Sequence, residues 1–149
     1  MPCGPNAAVA KRALSTSVAQ VIVDTSVWID FLNGHPTPQA DVLAQAIAEG
    51  DAISLPGLVL TEILLGLKND AQARRVESLL DAFDWIDGPT RDDHIAAAKL
   101  YRQCRARGIT IRSTIDCLIA QLCIRDKLPL LAKDCDFTEM ARVVPLVLV

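Results

Sequence analysis

The sequence predicts an α/β domain, built on a parallel sheet of about four to five short strands with helices on both faces. Two observations carry this. The short apolar runs "VIV" (Val21–Val23), "AISL" (Ala52–Leu55) and "LPLLA" (residues 128–132) lack the strict alternation of a half-exposed strand. Strands buried on both faces read in this way. Longer stretches with apolar residues at helical spacing lie between them, and alternation of strand with helix builds parallel sheets.

Each element follows from local signals. After Val21–Val23 comes Asp24, then "TSVWIDFL" turns helical with Trp28, Phe31 and Leu32 on one side, and Asn33-Gly34 ends it. In "TPQADVLAQAIAEGD", Val42, Leu43, Ala46 and Ile47 recur at helical spacing and Gly50 closes the run. Ala52–Leu55 is the second strand, and Pro56 can open the next helix, "GLVLTEILLGL", where its missing N–H is not needed. Another helix, "AQARRVESLLDAF", leads to a short strand, "DWID", ended by Gly88-Pro89. "TRDDHIAAAKLYRQCRARG" is a long helix with Thr90 as N-cap, Asp93 as the capping-box acid and Gly108 as the stop. "RSTIDCLIAQLCIRDK" places Ile115, Leu118, Ile119 and Leu122 on one face. "LPLLA", the short helix "CDFTEMAR" and a last strand "PLVLV" complete the chain.

At 149 residues one domain is expected, assigned here to residues 20–149. Residues 1–19 are small, contain no acid and carry Lys11 and Arg12. They lack the apolar core of a signal peptide and read as a flexible N-terminal extension, or as a start codon assigned too far upstream, more readily than as a transit peptide. No apolar run approaches the ~20 residues that span a bilayer. The net charge of -3 disfavours a protein that coats nucleic acid by bulk positive charge. It permits a nuclease, because a cluster of metal-binding acids lowers the charge by itself. The five cysteines, Cys3, Cys104, Cys117, Cys123 and Cys135, show no C-x-x-C spacing and only His35 and His94 accompany them, which leaves no structural zinc set. Their odd count fits reduced thiols in a cytoplasm.

Ligands in open parallel sheets bind beyond the carboxyl ends of the strands. Asp24 follows the first strand there, Asp134 and Asp136 follow "LPLLA", Asp116 opens a helix, and Glu62 lies about two turns into another. Each has a structural reading. Asp24 and Asp134 are plausible N-caps, and Asp116 fits a capping box with Ser113. Glu62 is too deep for capping, and a carboxylate among "GLVLT" and "ILLGL" must be paired, ligated or at a cleft edge. His35 and His94 read as surface residues, so no histidine base competes. Carboxylates on four segments suit a hard, oxygen-seeking cation, Mg2+ or Mn2+.

"VIVDTSVWIDFL", "LTEILLG" and "RSTIDCLIAQLCIRDKLPLLAKDCDF" together resemble the PIN domain, in the form carried by VapC toxins of bacterial toxin–antitoxin pairs. The resemblance covers Val21 to Val149 and implies a Mg2+-dependent endoribonuclease on a three-layer α/β/α sandwich. The family's acids fall on Asp24, Glu62, Asp116 and Asp134, with Asp136 able to replace or assist the last. Asp24 and Asp116 would bind the metal directly, while Thr25 and Ser26 match hydroxyl positions that orient the site. Arg112 matches an arginine before the third acid. The resemblance also implies a cognate VapB-like antitoxin and an RNA substrate; the apolar helices around Val42–Ile47 and Val59–Leu67 suggest contact surfaces for that partner or for a homodimer.

From Arg91 to Arg112 six basic residues stand against two acidic ones, and Arg102, Arg105 and Arg112 are the expected contacts to the RNA backbone. Three rivals remain at this point. A receiver domain wants an acidic pair after the first strand and a late lysine; a dehalogenase-type phosphatase wants D-x-D where this chain has D-T-S. The third is a PIN fold that only binds.

Overall fold

The computed structural model describes residues 20–149; the expected extension at residues 1–19 lies outside them. Four parallel strands and seven helices alternate along these residues. The order is β1 (Val21–Val23), α1 (Thr25–Leu32), α2 (Pro38–Glu49), β2 (Ile53–Pro56), α3 (Gly57–Leu65), α4 (Asp70–Leu80), β3 (Asp84–Ile86), α5 (Arg91–Ala106), α6 (Thr114–Asp126), β4 (Leu130–Leu131) and α7 (Cys135–Ala141).

The strands stand in the order β3-β2-β1-β4. Val21 pairs with Ile53, Ser54 with Asp84, and Ile22 with Leu130, all parallel. The chain moves from β1 to β2 to β3 in one direction, then returns to the far side of β1. Right-handed crossovers therefore put α1–α4 on one face and α5–α6 on the other. The packing agrees: α1 meets α2 and α3, whereas α5 packs on α6 and α7. This is the expected three-layer α/β/α sandwich.

Because helices cover both faces, β1, β2 and β4 are buried throughout. Trp28, Phe137, Ile22, Leu43 and Ile119 are among the largest side chains wholly removed from water. At the sheet edge β3 leaves Asp84 and Trp85 exposed. A Cβ on Gly57 would lie 3.0 Å from the Trp85 ring, so the glycine lets the ring lie close over the start of α3 and a larger residue would push it outward.

The expected caps form. Thr37 accepts from Ala40 N, Gly50 closes α2 at φ 72°, and Thr90 and Asp93 make a reciprocal capping box. Pro56 opens α3 as its N-cap, as expected, and also ends β2 opposite Ile86, a strand terminus where the missing N–H costs no ladder bond. Two expectations need correction. "PLVLV" contributes a single parallel bridge, Leu148 to Leu130, because β4 is only two residues long and gives a fifth strand little edge to extend. Cys104, Cys117 and Cys123 are free and buried, but Cys135 is disulfide-bonded, so reduced thiols do not hold throughout.

Candidate active site

Strand order reverses at β1, where β2 lies on one side and β4 on the other. Such a switch point opens a crevice at the carboxyl ends of the strands. Asp24 directly follows β1, and Asp134 lies just beyond β4 as the N-cap of α7. Helix α3 leaves the same edge from the end of β2 and carries Glu62. Helix α6 runs back toward β4, so its first turn, with Asp116, also lies there.

Asp24 is buried and caps α1 itself. Its Oδ2 accepts from Ser26 Oγ at 2.7 Å and Ser26 N at 3.3 Å. Asp24 is thus the N-cap that its place in the sequence allows. The helix begins at Thr25, so Asp24 holds the extended N-cap conformation and Ser26 stands where it donates to the carboxylate. Thr25 instead donates its hydroxyl to Glu62 Oε2 at 2.5 Å. Ser113 Oγ accepts from Asp116 N, yet no hydrogen bond from the described residues reaches the Asp116 carboxylate. The expected Ser113–Asp116 capping box is therefore only half made.

Asp134 and Asp136 have different duties. Asp136 is buried, and its Oδ2 accepts from Arg112 N at 3.0 Å and Arg112 Nε at 3.2 Å. Asp134 Oδ1 accepts from Arg112 Nη2 and from Asp136 N, both at 2.9 Å. Asp136 is the anchor of Arg112, and Asp134 the more open acid. Sequence alone placed Arg112 beside a phosphate and gave no sign of this clamp. It also missed the Lys133–Asp30 ion pair, which ties the segment before Asp134 to α1. The "KD" of Lys133-Asp134 was the available signal.

The electrostatics make these residues one group. Burial, then the charges of Asp24, Asp134, Glu62 and Asp136, push the Asp116 carboxyl up to about 7. Burial also raises Asp24, against the lowering by its Ser26 hydrogen bonds, and Asp134 adds to the rise. The donors are all oxygen, as Mg2+ or Mn2+ prefers. No three His, Cys, Asp or Glu side chains among the described residues converge as a ready ligand set. The residues fit a hard cation held by one or two carboxylates and completed by water, which is the usual Mg2+ arrangement, rather than an all-protein cage.

Residues 21–143 match the PIN domain family model. The chain belongs to the PIN-domain family. Within it the chain stands with the VapC proteins. It is 32% identical over 124 residues to a VapC ribonuclease of Mycobacterium bovis, covering 83% of this chain and 92% of that one. Ribonuclease VapC11 of Mycobacterium tuberculosis matches at the same 32% identity and the same coverage of 83% and 92%. Solved structures share the fold. VapBC2 of Rickettsia felis, bound to a DNA fragment from its promoter, superposes with a TM-score of 0.69 at 22% identity over 87% of this chain and 97% of that chain. VapBC-1 of nontypeable Haemophilus influenzae gives 0.68 at 18% identity, over 87% and 96%. Membership of this family removes the receiver and dehalogenase readings.

Beside the acids, this PIN domain has a groove of about 520 Å³ between α5 and the start of α6. Arg102, Arg105 and Arg112 all line it, whereas Arg91, Lys99 and Arg107 are exposed elsewhere. His94 also lines the groove and His35 is exposed, so neither enters the acidic cluster. Arg112 joins groove to acids, since its guanidinium holds Asp134 and Asp136.

Proposed function

We propose that this PIN domain is a Mg2+-dependent endoribonuclease, with Mn2+ able to substitute, and the toxin of a toxin–antitoxin pair. The observation that carries the reading is the gathering of Asp24, Glu62, Asp116 and Asp134 at the carboxyl edge of the sheet in a PIN-domain chain, where burial and the other acids' charges raise the Asp116 carboxyl. A site that concentrates carboxylates at this cost has a use for a cation.

Asp24 and Asp116 would hold the metal directly, with Glu62 and Asp134 acting through ordered water. A bound Mg2+ would acidify water and offset charge on the phosphoryl oxygens. The chain's own residues set the geometry. Ser26 fixes one oxygen of Asp24, and Thr25 fixes one oxygen of Glu62. Arg112 holds Asp134 while its side chain stays largely exposed toward solvent, where it can meet a phosphate. Water attacks phosphorus in line with the leaving 3′ oxygen, giving 5′-phosphate and 3′-hydroxyl ends. Arg102 and Arg105 would contact the RNA backbone along the groove.

The partner is a cognate VapB-like antitoxin, and the active unit a homodimer. The VapC relatives and the toxin–antitoxin complexes among the solved neighbours support the antitoxin partner. Leu43, Ala46, Val59 and Ile63 are spent in the core, leaving Leu65, Leu79 and Trp85 as exposed apolar contacts for a partner. No helix of the described residues is long and apolar enough to cross a membrane.

Incubating the full chain with a structured RNA such as tRNA, in Mg2+ or in EDTA, tests the proposal. Cleavage only with the metal, leaving 5′-phosphate ends on sequencing, is expected. Intact RNA in both conditions, or metal-independent cleavage, would refute it.

A further inference from the structure

The groove between α5 and α6 has a shape and lining that backbone contacts alone do not need. His94, Ala97, Tyr101 and Arg105 fall on one face of α5 and line one wall. The other wall is Thr114, Cys117 and Leu118, from the same first turn of α6 that bears Asp116. Its interior is apolar, with Ala97, Ile111 and Leu118 buried. The rim is cationic through Arg102, Arg105 and Arg112, and among the described residues no acid lines it. The Arg105 guanidinium carbon lies over the Tyr101 ring, 5.7 Å from its centroid, so a cation and an aromatic surface stand together in the groove.

We infer that this groove takes one unpaired nucleotide of the substrate: its base lies against the Tyr101 ring, and the phosphates beside it meet Arg105 and, next to the acids, Arg112. The inference rests on the ribonuclease reading and adds to it Tyr101, outside the acidic cluster, as the residue that holds a base of the substrate. A volume of about 520 Å³ lies within the range of small-ligand pockets. Charge complementarity selects a polyanion, and the apolar, aromatic interior selects one whose bases are free to leave their stack. Base pairs keep their faces covered, so a duplex would meet only the rim. Aromatic stacking with cationic partners is the usual means of holding unpaired bases, and it carries no strong sequence preference.

The test is fluorescence anisotropy in the Asp24→Asn chain with Mg2+, where an intact labelled RNA is expected. Asn remains a good N-cap, so the fold is kept. An unpaired oligonucleotide and the same sequence in a blunt duplex are compared for Asp24→Asn, Asp24→Asn/Tyr101→Leu and Asp24→Asn/Tyr101→Phe chains of matched melting temperature. The inference expects preference for the unpaired strand, a loss of about 10-fold with leucine, and recovery to within about 2-fold with phenylalanine. Equal binding of duplex and single strand, no binding of either, or no effect of leucine overturns it. So does an acidic peptide, poly-glutamate, that binds in a Tyr101-dependent way where RNA does not. Cleavage by the unmutated chain is scored separately. Cleavage without Tyr101 dependence removes the groove alone, whereas Tyr101-dependent binding without cleavage keeps the groove and removes the ribonuclease reading.

Discussion

The Thr25 hydroxyl donates to Glu62 Oε2 at 2.5 Å, tying the first turn of α1 to the middle of α3 across the edge of the sheet. The bond fixes one acid of the cluster from the helix that another, Asp24, caps. Replacing Thr25 with Val keeps the side chain's shape and removes the donor. Losing a hydrogen bond to a charged group here should cost about 1–2 kcal/mol, a melting temperature lower by roughly 2–8 °C. RNA cleavage should fall by about 10-fold or more while Thr25→Ser restores most of it. A Thr25→Val chain that cleaves normally would show that the position of Glu62 is not set by this bond.

Metal-free stability should depend on pH in one direction. Asp116 titrates near 3.8 when unfolded and near 7 when folded. The folded chain therefore holds a proton between those values that the unfolded chain has released. Its contribution to stability is complete below about pH 4 and is lost as pH rises through about 7. The raised Asp24 carboxyl acts in the same sense. Melts in EDTA at pH 5.5 and 7.5 should show greater stability at the lower pH, on the order of 2 kcal/mol. Millimolar Mg2+ should recover the loss at pH 7.5, and Asp116→Asn should flatten the dependence. A metal-free melt that does not change with pH would contradict a shared acidic site.

The Arg125–Asp93 pair should dominate the stability of the α5–α6 layer. Burial alone would raise Asp93, but Thr90 N, Arg125 and Gln121 together hold it at about 2. Arg125 Nη1 lies 2.8 Å from Asp93 Oδ2, and the guanidinium also donates to the carbonyls of Asp87 and Gly88. Arg125→Ala would leave Asp93 buried without its cation, at a cost of about 2–4 kcal/mol. Chemical denaturation measures this. Because Asp93 is lowered, the pair's contribution is present above about pH 4 and fades as pH falls toward 2. A change below about 1 kcal/mol would mean that water entering beside Asp93 replaces the pair.

Neutralising Arg102, Arg105 and Arg112 together should weaken RNA binding and reduce the slope of log K against log salt. Three single-strand phosphate contacts correspond to a slope change of about 2. Binding measured from low to moderate salt reads it directly. An unchanged slope would take the groove out of the RNA interface.

Most of the architecture was legible because its signals are local. Thr90, Asp93, Thr37 and Gly50 mark helix ends by the chemistry of their own side chains and backbone. The unbroken apolar character of Val21–Val23 and Leu130–Leu131 announced strands covered on both faces. "PLVLV" misled because the edge on which it would pair is β4, only two residues long, and that length is not written in its own pattern. The acids were legible as strand-end and helix-start residues. Their second partners were not, because the Arg112–Asp136, Lys133–Asp30 and Thr25–Glu62 contacts join residues 24, 103 and 37 positions apart. Asp134 and Asp136 could be told apart only once Arg112 was seen to clamp the second.

The most direct measurement is Mg2+-dependent RNA cleavage by the Asp24→Asn chain beside the unmutated one, with both melts recorded. Asn keeps the N-cap of α1 but removes one carboxylate charge from the cluster. Cleavage should fall by at least about 100-fold, in the range seen when a group that stabilises reacting charge is removed, while the melt in Mg2+ changes little. Full retention of cleavage by Asp24→Asn would contradict this.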